Sequence, residues 1–290
     1  MNKFGILGVL AKLAIALLCF VPVAASAAVS CNVTVTSITT SFNNALGNAG
    51  ITSGAWTVSC TRAVGDANTF AFLLEANNGA NGAGAQNRAV FGGNRINYDI
   101  YRSTTITNGN RWQNTTATAF SGSVTFFGST LTGSTTGTFY ANVPTGQNPA
   151  AGTYTDTVIA TLLDSTGTIT LNTTSFGVSI LNQAACEITS PPGNINLTYT
   201  SFQGTAASAT TTFAVRCTNG HAYTMALDAT SSTLIGLNYT LALSQTSANG
   251  NGASQTFTIT GGITAGQSGT CSSSATSCTG TETRTLTITY

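Results

Sequence analysis

The sequence predicts an all-β protein of two immunoglobulin-like antiparallel β-sandwich domains, the second lacking its last strand. Three observations predict it. Almost every segment beyond residue 27 alternates apolar with small polar residues and is bounded by Gly- or Asn-rich turns. Six cysteines follow the first 27 residues, an even number that suits a disulfide framework. A strand motif occurs twice, as GTYTDTVIATL at 152–162 and GTETRTLTITY at 280–290. After the first copy come a turn, DSTG at 164–167, and a further alternating stretch with Phe176, Val178 and Ile180. The second copy reaches the last residue, so the second sandwich is expected to be one strand short. A sandwich without a strand exposes apolar core and unpaired backbone groups, and is expected to take that strand from a partner.

In chain order, the first element is a leader. Lys3 and Lys12 give a basic start, an apolar run extends from Leu13 to Val23, and Ala25-Ser-Ala27 is a small-x-small cleavage site. This predicts a secretory signal over 1–27 and an exported mature chain from about Ala28. The run is too short, and too close to the cleavage site, to favour a membrane anchor. Both lysines lie in the leader, leaving seven arginines against eight acidic residues, a net charge of one negative. With no basic stripe, nucleic-acid binding is not expected. Only 6% of the chain is charged, so solubility rests on Thr, Ser, Asn and Gly. Thr suits strands, and Asn and Gly suit turns.

Cys19 falls in the leader, and the other cysteines are 31, 60, 186, 217, 271 and 278. Six cysteines allow about 15 connectivities. The internal repeat suggests one of them: Cys31 with Cys60, Cys186 with Cys217, and Cys271 with Cys278. A metal reading is weak, because no Cys-x-x-Cys occurs and His221 is the only histidine. No cofactor is expected.

Further repeats support two related domains, about 28–182 and 183–290. NYDI at 97–100 matches NYTL at 238–241, and VPTGQ at 143–147 matches ITAGQ at 263–267. The order in each half is Cys, Cys, Asn-Tyr, Gly-Gln, final strand. AWTVSC at 55–60, FAFLL at 70–74 and FAVRC at 213–217 are short, β-prone segments. No stretch past the leader has a helical period with caps. Two antiparallel sandwiches follow. The NNGANGAGA segment at 77–85 reads as a mobile hairpin connection, with a surface-contacting tip as the alternative.

The Asn-Tyr strand, the Gly-Gln turn and the Gly-x-Tyr-x-Asp final strand resemble the spore coat protein U domain family, which supplies subunits of archaic (Csu-type) chaperone–usher pili. The resemblance covers nearly all of the mature chain. The second domain departs from it, with Glu282 and Arg284 where the motif of the first has Tyr154 and Asp156. The first departs too, because Trp112 is followed by Gln113 and not by Gly. The resemblance implies subunits that lack their last strand. A periplasmic chaperone fills the gap until the N-terminal extension of the next subunit replaces it. Only Ala28, Val29 and Ser30 precede the first mature cysteine, so this chain is expected not to donate a strand. The segment carrying Phe176, Val178 and Ile180, which precedes Cys186, is expected to complete the first domain in cis. The second then accepts a strand in trans. The implied protein is a two-domain tip adhesin with the first domain outermost, at the fimbrium tip. Its partners would be a periplasmic chaperone, an outer-membrane usher, an adjacent strand-donating pilin, and an abiotic or host surface. Leu286, Ile288 and Tyr290, on one face of the last strand, are the expected chaperone and donor-strand interface. An ordinary last strand ending flush with its domain is the alternative.

No catalytic constellation stands out. A triad would need His221, which reads as part of a surface turn after Cys217. Asp99 and Asp156 could be imagined as a glycosidase pair, but both read as structural strand residues. The Gly-rich stretches lack the strand–helix context and Lys of a phosphate loop. Asn-x-Thr at Asn32, Asn114, Asn172, Asn196 and Asn238 is what so Asn- and Thr-rich a chain produces by chance. Adhesion by family tip subunits is associated with apolar loop ends. The candidates here are Leu46, Ile51, Phe91, Ile106 and Trp112, each weighed against a core role. The expected function is a non-catalytic fimbrial tip subunit for surface attachment and biofilm formation. A free secreted carbohydrate-binding sandwich and a coat-layer protein are the alternatives, and a hydrolase is disfavoured by the scarcity of His and acids.

Overall fold

In the computed structural model, residues 29–43, 49–271 and 275–290 are described. The leader and Leu46 lie outside the described residues.

The first sandwich contains β1 (Ser30–Val35), β2 (Ile38–Phe42), β3 (Gly50–Thr61), β4 (Thr69–Ala76), β5 (Asn87–Phe91), β6 (Asn94–Tyr101), β7 (Phe120–Thr125), β8 (Thr132–Val143), β9 (Gly152–Asp164) and β10 (Thr170–Asn182). The second contains β11 (Cys186–Ser190), β12 (Ala207–Cys217), β13 (Ala222–Leu227), β14 (Ser231–Leu234), β15 (Leu237–Leu243), β16 (Ser247–Asn249), β17 (Ser254–Ile263) and β18 (Leu286–Thr289). The only helical element among the described residues is a 3-10 turn at Asn108–Asn110. The strands follow from the alternation: in β9, Tyr154, Asp156, Val158, Ala160 and Leu162 point inward, and threonines and Ile159 fill the positions between.

The sandwiches share one plan. In the first, the order β1-β3-β8-β6-β5 continues through β9 to β10 and β2, and β4 lies between β9 and β7. In the second, β11-β12-β17-β15-β14 forms one sheet and β16-β13-β18 the other. The first order matches β1-β3-β8-β6-β5, and the second matches β7-β4-β9. Among the described residues, the second sandwich has no counterpart of β10 and no paired counterpart of β2. Disulfides join Cys31 to Cys60 and Cys186 to Cys217, clasping the first two strands of each long sheet, and Cys271 to Cys278 near the end of the chain.

The cores differ accordingly. The first is closed around Trp56, Trp112, Phe139, Tyr154 and Phe176, all buried. The second is smaller: Phe213, Val215, Cys217, Tyr223, Met225, Phe257 and Ile259 are buried, while Ile195, Leu241, Leu243, Leu286 and Ile288 pack against them half-covered. β6 buries Tyr98 and Ile100, whereas the inward side chains of its counterpart β15 stay half-exposed throughout.

Candidate docking groove and distal pole

β10 shows how a complete sandwich is closed. It runs antiparallel to β9 and parallel to β2, filling the gap between them. Phe176, Val178 and Ile180 point inward and are buried, and the Phe176 ring lies 6.0 Å from Trp112 and 5.3 Å from Phe139. The Asn182 amide at its end donates to the carbonyls of Pro149 and Ala150, at 3.1 and 2.9 Å.

In the second sandwich the same place is a groove. β18 pairs antiparallel with β13, and among the described residues no strand lies on its other side. Residues 191–200, beside β12 and β17, alternate in burial: Ile195, Leu197 and Tyr199 are half-covered, with Ile195 against the second core, and Asn194, Asn196, Thr198 and Thr200 are exposed. They alternate as a strand does, yet join no ladder among the described residues. β2 is a strand because β10 supplies its partner, and 191–200 has none. Leu286 and Ile288 form part of the groove's apolar floor, and Tyr290 is exposed. The His221 ring packs edge-on to Tyr290 at 6.2 Å, with its Nε2 enclosed and unpartnered.

Two side-chain locks recur in both sandwiches. Gln147 accepts from the Asn97 N–H at 2.7 Å and donates to its carbonyl at 2.9 Å. Gln267 does the same to Asn238, at 2.7 and 3.0 Å. The preceding Gly146 and Gly266 both sit at φ +81°, where a side chain would be strained. The Gly-Gln turn therefore works as a staple onto the Asn-Tyr strand. The second lock joins that tyrosine to the last strand. Tyr98 donates to Asp156 at 2.7 Å, and Tyr239 to Glu282 at 2.7 Å. Burial, reinforced by the bond to Asp156, raises the Tyr98 pKa far above the usual phenol value, so this donor keeps its proton.

The second lock corrects the alignment of the two final strands. The motif texts place Glu282 on Tyr154 and Arg284 on Asp156. The strand pairings, Ala76 with Ala160 and Leu227 with Leu286, shift the register by two residues. Glu282 then takes the role of Asp156, and Arg284 takes the place of Val158. Arg284 pairs with Glu282, lies 3.8 Å from Asp228, donates to the Tyr239 hydroxyl at 2.9 Å, and sits over that ring at 5.7 Å.

The strand ladders define two poles of the first sandwich. Gly50 opposite Val143 and Asn182 opposite Gly152 mark the pole that meets the second sandwich. There Ala150 bridges to Asn219, Asn148 donates to the Asn251 carbonyl at 2.8 Å, and Asn219 donates to the Asn148 carbonyl at 3.1 Å. Thr61 opposite Thr132, and Phe72 opposite Asp164, mark the far pole. Its loops expose Val64 (87%), Phe127 (77%) and Ile169 (60%). Arg62, itself buried, ties two of these loops together by donating to the carbonyls of Asp66, Gly128 and Thr130 at 3.0 to 3.2 Å. Asp164 caps the third by accepting from the Ile169 N–H at 2.9 Å, the Thr166 hydroxyl and the Thr168 N–H at 2.9 Å, and these bonds hold its pKa down to about 2.

The residues singled out as adhesive scatter. Ile51 is exposed at the pole beside the second sandwich. Phe91, half out, rests against Tyr154 at 5.7 Å near the same pole. Ile106 is partly exposed in the β6–β7 loop. Trp112 is not a surface residue at all. Its indole fills the middle of the core against Phe120, Phe139 and Phe176, and its N–H donates to the Leu74 carbonyl at 2.8 Å. The 77–85 segment is not a loose connection either. Ala80 donates to the Thr157 carbonyl, the Asn77 side chain accepts from Gly79 and Ile159, and Asn81 donates to Asp156. Of the two aspartates weighed as a glycosidase pair, Asp156 is held by Tyr98 and Asn81. Asp99 is paired with Arg111, burial raising its pKa and Arg111 partly opposing that. Sequence reasoning passed over Val64, Phe127 and Ile169. Their one local signal is a neighbouring turn glycine at Gly65, Gly128 or Gly167.

The closed sandwich joined to a sandwich with an open edge defines a two-domain, disulfide-clasped β-sandwich protein. The chain belongs to the Spore Coat Protein U domain family, whose model matches residues 18–161 and 172–249. No curated protein matches the sequence. Among solved structures, it is similar to the chaperone–tip adhesion subunit pre-assembly complex of the archaic Csu pili of Acinetobacter baumannii. That match has 13% identity and a TM-score of 0.42, over 90% of this chain and 100% of the other. It is also similar to the CssB subunit complemented with a donor strand from CssA of enterotoxigenic Escherichia coli, at 18% identity and a TM-score of 0.29, over 52% and 97%. A third likeness is to the CupB6 tip adhesin of Pseudomonas aeruginosa, at 10% identity and a TM-score of 0.31, over 53% and 43%.

Proposed function

We propose that this chain is a non-catalytic tip subunit of a chaperone–usher fimbria, exported through the periplasm and displayed on the cell surface. In this reading, 28–182 is an adhesin domain closed by its own β10, and 183–290 is a pilin-like domain completed by a strand from another chain. The observation that carries the reading is that, among the described residues, β18 is paired on one side only, while Ile195, Leu241, Leu243, Leu286 and Ile288 of the second core are left half-covered. A strand added to the open side of β18 gains backbone hydrogen bonds there and covers those apolar side chains. A periplasmic chaperone would hold the edge of β18 at Leu286, Ile288 and Tyr290, an usher would accept the complex, and the next pilin would replace the chaperone. Attachment is assigned to the pole remote from the second domain, where the exposed apolar residues Val64, Phe127 and Ile169 suit hydrophobic surfaces.

Strand acceptance is tested by thermal unfolding of the chain from Ala28, alone and with a peptide copying the N-terminal extension of a candidate pilin. The expected result is two transitions, with the lower one raised by the peptide and the upper unchanged. Two peptide-indifferent transitions would favour a free secreted β-sandwich. Attachment is tested with a variant carrying Val64→Ser, Phe127→Ser and Ile169→Ser. Each apolar side chain contributes about 1.5–3 kcal/mol when fully buried. Binding to a hydrophobic surface should therefore drop at least about tenfold while both unfolding transitions stay in place. Undiminished binding would remove this pole from the account.

A further inference from the structure

The position of Arg284 bears on which strand the second domain accepts. In the first sandwich, Phe176 of the closing strand lies opposite Val158 of β9, and both are buried. The shifted register puts Arg284 in the place of Val158, so a strand entering in the manner of β10 sets one of its inward residues opposite Arg284. That contact is not apolar. Arg284 is bound by Glu282 and the Tyr239 hydroxyl, with Asp228 at 3.8 Å, so two carboxylates face one guanidinium and the cluster carries a net negative charge. The side chains of Asp228, Glu282 and Arg284 are 42%, 29% and 19% exposed, so water reaches all three. An entering strand removes that water. An aromatic ring there would desolvate both carboxylates and return no hydrogen bond to them, and the guanidinium already lies over the Tyr239 ring, so a second ring contact adds less than that desolvation costs. An amide or cationic side chain would bring N–H donors to the carboxylate oxygens, and charge-assisted bonds of that kind are the stronger ones.

Resting on the strand-acceptance reading, we propose that the second domain selects an extended segment of another polypeptide whose residue opposite Arg284 is an amide or cationic hydrogen-bond donor, and discriminates against an aromatic there. The chain itself carries a strand-closing segment with Phe176 at the matching position. The charged cluster keeps segments of that type out of the second groove, specificity obtained by penalising the wrong occupant.

The test uses the chain from Ala28 and two peptides, one with the sequence of residues 170–182 and the same peptide carrying Phe176→Gln. Affinity is measured by calorimetry and the second-domain transition by thermal unfolding. The expected result is at least about tenfold tighter binding of the Phe176→Gln peptide, with the preference reversed in an Arg284→Val chain. Equal or tighter binding of the aromatic peptide to the unaltered chain overturns the selectivity and leaves strand acceptance standing. Failure of both peptides to bind or to move the transition overturns both. Association of the chain into dimers without peptide, seen by light scattering, makes a second copy the occupant and also overturns the proposal.

Discussion

Trp112→Ala is expected to unfold the first domain or bring it close to unfolding. The indole is fully buried and packs at 5.2 Å from both Phe120 and Phe139, and stacks on Phe176 of the closing strand. Removing a buried Trp costs about 3–5 kcal/mol, because packing is lost and the cavity does not fully collapse. The Leu74 carbonyl also loses its donor. Whole domains are typically stable by about 5–15 kcal/mol, so this one change removes a large share. It should also loosen β10, since Phe176 loses a stacking partner. Calorimetry should show the upper transition falling by more than about 10 °C, given about 4–8 °C per kcal/mol for small domains and less for larger ones. Ile106→Ser in the same loop is the control. Its partly exposed side chain meets no such packing, and surface changes usually stay within about 0.5 kcal/mol. If the two variants melt alike, Trp112 is not the keystone its surroundings indicate.

The second large effect is expected from replacing Cys186 and Cys217 with serine. This bond joins residues 31 apart in sequence and ties β11 to β12 in the less-buried sandwich. On the loop-entropy account, its loss costs about 3–4 kcal/mol. The second core has less to lose: its buried cluster is small, and Leu241, Leu243, Leu286 and Ile288 are only partly covered. The lower unfolding transition should vanish at 25 °C and the upper one remain. Hydrogen exchange should then show β12 and β17 unprotected, with β3 and β8 protected as before. Retention of protection in β12 would mean that the open sandwich is held by more than its core and its bridge.

The fold class was legible in the chain because alternation is local. A β9 or β12 sequence shows its inward residues every second position, and Gly and Asn mark the turns between. The doubled Asn-Tyr and Gly-Gln motifs were legible for the same reason, and the structure gives them a physical role as a glutamine staple. Trp112 was not legible. It lies outside any strand, between a 3-10 turn and a polar loop, and only the convergence of Phe120, Phe139 and Phe176 from three distant strands encloses it. The far pole was hidden because no short window tells which loops share an end of a sandwich. Strand order decides that, and it brings 62–68, 126–131 and 165–169 together from across the first domain.

By itself, then, the sequence determined the all-β class, the two-part plan and the family to which the chain belongs, all properties of residues near one another. Only the tertiary structure decided the register of the last strand, which hands the role of Asp156 to Glu282 and leaves Arg284 in the place of Val158. It also decided that residues 191–200, strand-like in pattern, stay unpaired. The reason is the same in both cases. Alternation says which side chains share a face, but only a neighbouring strand sets what they face, and among the described residues β18 has one on the β13 side alone.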